Sequence, residues 1–234
     1  MIQMMKKIKN IRVITLDLDD TIWEIHPVIN RAENRLYEWL EKFYPKITRQ
    51  YQKSDIHDVR SQVMTEFSDY KHDITFLRKM VLSRIAISVG YRPDFIDKAF
   101  QIFDEVRNDV DIFPGVIETL EVLGKKFKII AVTNGNANLA TIGIDYLFDN
   151  VVTAIKAGAA KPSSKIFEMA IDLGGAKASE TLHVGDHPEF DVDGAHKAGL
   201  KTVWVNRDKS IWPENYARPG IEISHVSDLI NYLD

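Results

Sequence analysis

The stretch Thr15-Leu16-Asp17-Leu18-Asp19-Asp20-Thr21 decides how the rest of the chain is read. It ends an apolar, β-branched run over residues 12–18 and turns abruptly acidic. Strand periodicity puts Asp17 and Asp19 on one side, with Leu18 pointing the other way. Three acids at the end of a buried strand are costly to desolvate unless something compensates them. In open parallel sheets the ligand crevice lies beyond the carboxyl ends of the strands, where this pair falls. Taken alone, the segment reads equally as a polar strand end followed by a helix that Asp20 or Thr21 caps.

Outward from this point, short β-branched runs recur at 128–132, 151–155, 181–184 and 202–205. Amphipathic stretches separate them, such as Val116-Leu120-Leu123 and Ile166-Phe167-Ala170-Ile171. Strand–helix alternation of this kind predicts an α/β fold with a parallel sheet, and strands apolar on both faces predict helices covering both. Between about Pro27 and Asp109 the texture changes. Four helical patterns replace the strands: Ile29-Ala32-Leu36-Leu40-Phe43, Ile56-Val59-Val63-Phe67, Ile74-Leu77-Val81-Ile85 and Phe95-Ala99-Phe103-Val106. Breaks are expected at Tyr44-Pro45, around residues 68–72 and at 90–93. The expected organisation is a sheet domain of residues 1–22 and 110–234, interrupted by an all-helical domain of residues 23–109. Residues 206–220, with Pro213, Pro219 and Gly220, read as an irregular surface loop.

Composition narrows the function classes. The 234 residues include 30 basic and 34 acidic side chains, a formal net charge of −4 without any basic stripe, which argues against nucleic acid as a partner. There is no cysteine, so disulfides and thiolate chemistry are excluded. No signal-peptide pattern follows Lys6, Lys7 and Lys9, and no run of 18 apolar residues exists. A cytoplasmic protein without a membrane partner is the expectation.

Three further strand ends carry polar groups. Ile130-Ala131-Val132-Thr133-Asn134-Gly135 offers a hydroxyl and a turn of backbone N–H groups that suits an anion, or a simple capped helix start. Lys161 precedes Pro162-Ser163; alone, a lysine there is ordinarily a solvated loop charge. His183-Val184-Gly185-Asp186-His187-Pro188-Glu189-Phe190-Asp191 places one carboxylate at a strand end and another near a helix start, as cation ligands or as a helix cap. Each plain reading is respectable, but in a parallel sheet all four junctions lie on one edge. Converging carboxylates call for a hard cation, for which Mg²⁺ is suited, and an added lysine and hydroxyl suit a phosphoryl group.

The ordered set Asp-x-Asp-x-Thr, Thr-Asn-Gly, Lys-Pro and Gly-Asp-x-x-x-x-Asp resembles the four motifs of the haloacid-dehalogenase superfamily. That resemblance implies a Rossmann-like core, and it makes the four-helix insertion a cap domain of the C1 type. It also implies roles. Asp17 is the nucleophile that forms an aspartyl-phosphate; Asp19 is the acid that protonates the leaving alcohol and later the base that activates water. Mg²⁺ is held by the Asp17 carboxylate, the Asp19 backbone carbonyl and the Asp186 carboxylate. Asp191 supports the metal through water or steadies Lys161, while Thr133, the Asn134 backbone and Lys161 hold phosphoryl oxygens. Asp20 reads best as a turn residue.

A narrower resemblance lies in residues 15–33 (TLDLDDTIWEIHPVINRAE), 70–78 (YKHDITFLR), 131–137 (AVTNGNA) and 182–186 (LHVGD). These are similar to the flavin mononucleotide phosphatase branch, linked to riboflavin biosynthesis through 5-amino-6-(5-phospho-D-ribitylamino)uracil. The implied activity is Mg²⁺-dependent hydrolysis of a small phosphate monoester. A sugar-phosphate phosphomutase would keep the same motifs; a 2-haloacid dehalogenase would lack Asp19. Trp23 is read either as stacking on a planar substrate or as packing between the domains. His72, Asp73 and Arg78 are candidates to face a substrate, against the commoner outcome of solvated helix positions.

Overall fold

Val13–Leu16 forms β1, buried at all four positions, in a computed structural model that describes residues 7–233. Met1–Lys6, including Lys6 of the basic N-terminal segment, lie outside the described residues. Around β1 stand β2 (Lys128–Thr133), β3 (Asn150–Thr153), β4 (Thr181–Gly185), β5 (Lys201–Val205) and β6 (Ile221–Ile223). The sheet order is β3-β2-β1-β4-β5-β6 and every pairing is parallel. Strand order therefore reverses between β1 and β4, the point where open parallel sheets leave a crevice beyond their carboxyl ends. Asp17 and Asp186 each directly follow one of these two strands.

The chain divides into two compact units. Residues 25–110 and 136–142 form a helical unit; residues 1–24, 111–135 and 143–234 form the sheet unit. In the helical unit α1 (Ile25–Phe43) buries Val28, Ala32, Leu36 and Leu40, a stripe at four-residue spacing. α2 (Pro45–Gln50) opens on a proline at its first turn, so the expected break at Tyr44-Pro45 also starts a short extra helix. α3 (Lys53–Glu66) begins with a Gln52–Asp55 capping box. α4 (Ile74–Ser88) is capped by Asp73, whose side chain accepts the Phe76 N–H at 2.8 Å. Asp73 is thus occupied as a cap. α5 (Ile96–Arg107) completes a core in which Ile47, Val63, Ile85, Ala99 and Phe103 are fully buried. Arg78 stacks its guanidinium 3.7 Å from the Phe103 ring centroid, and burial, with Arg60 nearby, pulls its pKa down to about 10. It is half-buried against Phe103 and Glu33 rather than fully solvated.

The sheet unit contributes α6 (Val116–Leu123), and the helical unit regains the chain for α7 (Leu139–Ile142). α8 (Ala154–Ala157), α9 (Ser164–Gly174) and α10 (Gly194–Lys197) follow in the sheet unit. Ile166, Phe167 and Ala170 of α9 pack with Val13, Ile130, Val132 and Val152 of the sheet. Gly174 makes this approach possible: a Cβ there would lie 2.8 Å from Val13 Cγ2. Several strand limits differ from the sequence reading, beginning with β1, which covers Val13–Leu16 where the run over 12–18 is expected. β3 stops at Thr153, because its hydroxyl accepts the Lys156 N–H at 3.1 Å and starts α8, so Ile155 is helical. β6, three residues paired with β5 just past the irregular loop, is too short to carry a periodicity signal.

Ile14, wholly buried in the central strand, should cost about 2–5 kcal/mol when cut to alanine. Ile211, 93% exposed, should change stability by no more than about 0.5 kcal/mol under the same substitution. Chemical denaturation of the two variants checks this contrast.

Candidate active site

Asp17 is the first residue beyond β1, and its N–H donates to Val184 O at 2.9 Å, extending the ladder with β4 by one rung. Its carboxylate is thereby fixed against the strand that delivers Asp186. The chain then folds tightly: the Thr21 and Ile22 N–H groups both donate to Leu18 O, and the Asp20 N–H donates to Trp23 O at 2.8 Å. Asp20 sits at the bend with φ +62°, a left-handed conformation that Asp tolerates better than most residues. The bend brings the Thr21 hydroxyl 3.2 Å from Asp17 Oδ2 and 3.1 Å from Asp186 Oδ1. One proton serves two carboxylates there.

Lys161 arrives from the loop after α8. The Asn134 side chain sets it in place: its oxygen accepts the Lys161 N–H at 2.7 Å and its amide donates to Lys161 O at 3.0 Å. This reciprocal pair ties the end of β2 to the lysine and leaves the Asn134 backbone outside it. The Lys161 side chain, 4% exposed as a residue, donates to Asp17 Oδ1 and, at 2.6 Å, to Asp191 Oδ1. Thr133, at the end of β2, accepts the Gly135 N–H on its hydroxyl at 2.8 Å.

Asp191 lies inside one wide helical turn, Pro188–Asp193, which His187 caps rather than Asp191. Besides Lys161, its carboxylate accepts the His187 N–H at 2.9 Å and faces His183 Nε2 at 3.1 Å. The other His183 nitrogen, Nδ1, is 2.8 Å from the Thr15 hydroxyl. The tautomer with hydrogen on Nε2 satisfies both contacts: Thr15 donates to Nδ1 and Nε2–H donates to Asp191. Burial lowers the His183 pKa, in keeping with a neutral ring. Gly185 is required where Asp191 rests, since a Cβ there would lie 2.3 Å from the Asp191 carboxyl carbon. The Trp204 indole N–H donates to Asp186 O at 2.7 Å and anchors the strand end from behind.

Carboxylate oxygens of Asp17, Asp186 and Asp191 all lie within 4.8 Å of one another, close enough to share a metal ion. Their titration reflects that crowding. Burial, reinforced by Asp191 and Asp186, raises the Asp17 carboxyl well above its ordinary range despite Lys161. Asp186 is pushed up to about 7, first by burial and then by Asp191 and Asp20. Burial also opposes ionisation of Asp191, but Lys161 and His183 outweigh it and hold that group well below the usual range. Lys161 is raised, its two carboxylate partners overcoming the cost of burial. One ammonium faces three carboxyl groups, and burial with their mutual repulsion favours the protonated forms of Asp17 and Asp186.

The Asp19 carboxyl accepts the Trp23 indole N–H at 2.8 Å. Trp23 is fully buried and takes no part as an exposed stacking platform. Thr21 and His183 are the contributors that sequence reasoning passed over. Thr21 was weighed only as a cap, although it stands four residues after Asp17. His183 carried a signal in its place two residues before Gly185, on the same face of β4 as that glycine and hence as Asp191's resting place.

Comparison with known proteins agrees with this architecture. The chain is 29% identical to the 5-amino-6-(5-phospho-D-ribitylamino)uracil phosphatase YigB of Escherichia coli, covering 95% of this chain and 96% of that protein. It is 28% identical to the glyceraldehyde 3-phosphate phosphatase of Methanopyrus kandleri, covering 95% and 97%. A crystal structure of a 2-haloacid dehalogenase from Pseudomonas syringae pv. Tomato superposes with a TM-score of 0.90 at 35% identity, covering 95% and 97%. The family model for haloacid dehalogenase-like hydrolases matches residues 11–199, a span that holds all four strand-end clusters. With the strand ends, the buried lysine and the three carboxylates in that order, this chain belongs to the haloacid dehalogenase-like hydrolases.

Proposed function

We propose that this enzyme is a Mg²⁺-dependent phosphatase that hydrolyses a small phosphate monoester through Asp17. The observation that carries the reading is the Lys161 ammonium buried between Asp17 and Asp191, with Asp186 completing the cluster and Asp19 two residues on from Asp17. An Asp17 oxygen attacks phosphorus as the ester P–O bond breaks, and the leaving oxygen takes the proton of Asp19. Water then attacks the aspartyl-phosphate, giving its proton to Asp19, and the Asp17–phosphorus link breaks. One ester and one water become one alcohol and one phosphate. Lys161, the Thr133 hydroxyl and the backbone at Asn134 hold the phosphoryl oxygens, whose charge is the main thing such a site must stabilise.

The donor set fits Mg²⁺: among the described residues it is made of carboxylate oxygens alone, and burial together with Asp191 and Asp20 keeps the Asp186 pKa near 7. The Asp17 and Asp186 carboxylates and the Asp19 backbone carbonyl would hold it, with Asp191 steadying Lys161. When bound, the ion supplies positive charge that offsets the carboxylates and the phosphoryl oxygens. The helical unit, residues 23–109 in the sequence reading, takes the part of a cap that selects the leaving group. Within that unit Phe67, Tyr70 and Phe76 cluster, with Tyr70 stacked on His72 and 48% exposed. An exposed aromatic surface favours a planar leaving group. With the likeness to the E. coli aminouracil phosphatase, this supports 5-amino-6-(5-phospho-D-ribitylamino)uracil or flavin mononucleotide as substrate.

The likeness to the Pseudomonas syringae structure supports a second reading, in which Asp17 displaces halide from a 2-haloacid. Asp19 and the surplus of carboxylates speak against it, because displacement of halide needs neither a proton donor nor a divalent cation.

Three outcomes are expected. Asp17→Asn should fold normally and lose roughly four to six orders of magnitude in kcat for phosphate release. Across a panel, kcat/KM should be higher for the two flavin-type phosphates than for glucose or ribose phosphates, with no halide released from 2-chloropropionate; halide release with no phosphate release would establish the second reading. The third concerns stability. An unfolded aspartate titrates near 4, roughly, and folded Asp186 near 7, so between these values the folded state binds the extra proton. Metal-free protein should therefore lose stability as pH rises through that window. Melting temperatures from about pH 5 to 8 should fall more steeply for wild type than for Asp186→Asn. Mg²⁺ at the upper end should raise the wild-type value most.

A further inference from the structure

Trp23 has no exposed surface, and a buried indole N–H requires an acceptor. It finds Asp19 Oδ1 at 2.8 Å. The backbone holds both partners in place. Residues 19 and 23 form an isolated parallel bridge, and Trp23 forms a second, antiparallel one with Ile112. The Phe113 N–H donates to Ile22 O at 2.9 Å and the Asp20 N–H to Trp23 O, so both sides of the indole's attachment are tied down. A bulky, two-torsion side chain clamped in this way presents its N–H along one direction.

An indole nitrogen is a donor only. The Asp19 oxygen facing it must accept, in either protonation state of the carboxyl. We propose that Trp23 is the positioning residue for proton transfer: its clamped N–H holds the Asp19 carboxyl by Oδ1 and so sets the orientation in which that group meets the leaving oxygen. The same contact holds the carboxylate while it later receives a proton from water. The inference rests on the reading of Asp19 as the acid, and it gives Trp23 a role that neither packing nor substrate stacking would supply.

The test uses the leaving group. A poor leaving group needs the proton as the P–O bond breaks, whereas a good one departs largely without it. The quantity measured is kcat/KM, which runs only to the first irreversible step. For wild type, Trp23→Phe, Asp19→Asn and the double variant it is compared between phenyl phosphate and 4-nitrophenyl phosphate, at saturating Mg²⁺. Trp23→Phe should lose about 10-fold or more on phenyl phosphate and stay within roughly 3-fold on the nitrophenyl ester. The double variant should lose no more than Asp19→Asn alone, since Trp23 acts through Asp19. If Trp23→Phe melts below wild type, benzothienylalanine at position 23 removes the N–H and keeps the bicyclic volume, and the same ratio is read. Equal losses on both esters, or a further loss in the double variant, overturn the role of Trp23. If Asp19→Asn itself shows no such selectivity, the assignment of Asp19 falls instead.

Discussion

A primary ammonium group, almost wholly enclosed, sits between Asp17 and Asp191, and the rest of the sheet unit can be understood as the means of keeping it there. Burying one charge is costly, and burying three together is costly unless each has partners in good geometry. Those partners come from separate parts of the chain. Asn134 grips the lysine's backbone, Thr21 reaches two carboxylates, and His183 and the His187 amide complete Asp191. Removing a glycine's worth of space at position 185 would displace Asp191 and unbalance the set. The cluster nevertheless holds more carboxyl groups than Lys161 can pair. Carboxyl groups gathered this way lie close enough to share a metal ion.

Much of this was readable in the amino-acid order, for a physical reason. Parallel strands buried on both faces announce themselves as short runs of Val and Ile, and a polar residue at the end of such a run is conspicuous. Asp17, Thr133, Asp186 and their junctions were visible on those grounds, as were the helical stripes from Ile29 to Val106. Connections made sideways were not visible. Thr21 looks like a cap, and His183 looks like one polar residue in a strand, until β1 and β4 are set in register with Thr15 opposite His183. Trp23 invited two opposite readings, exposed platform or buried packing, and sequence offers no measure of which one holds. Thr153 shows a different limit: one hydroxyl accepting one N–H ended a strand that β-propensity would have continued.

The two units answer to different chemical demands. The helical unit is stabilised in the ordinary way, by apolar stripes, capping groups and an arginine laid on Phe103. It keeps its polar groups in internal pairs such as Glu33 with Arg60. In the sheet unit, polar groups are gathered at one edge at evident electrostatic cost. Relatives that match over nearly the same length carry different phosphatase names.

The pairing of β1 with β4 has a consequence for the order in which the molecule comes into being. Thr15 and His183 are 168 positions apart, yet they are neighbours in register. A ribosome emits Asp17 early, and for most of translation that carboxylate has neither Asp186 nor Asp191 beside it. β1 meanwhile lacks its partner on one side and exposes an unpaired apolar edge, the kind of surface that invites association with other chains. The long intervening helical segment can condense on local contacts while this edge waits. The three-carboxylate cluster is then complete only once residue 191 has been added, and a chain truncated before residue 181 holds Asp17 without its two companions.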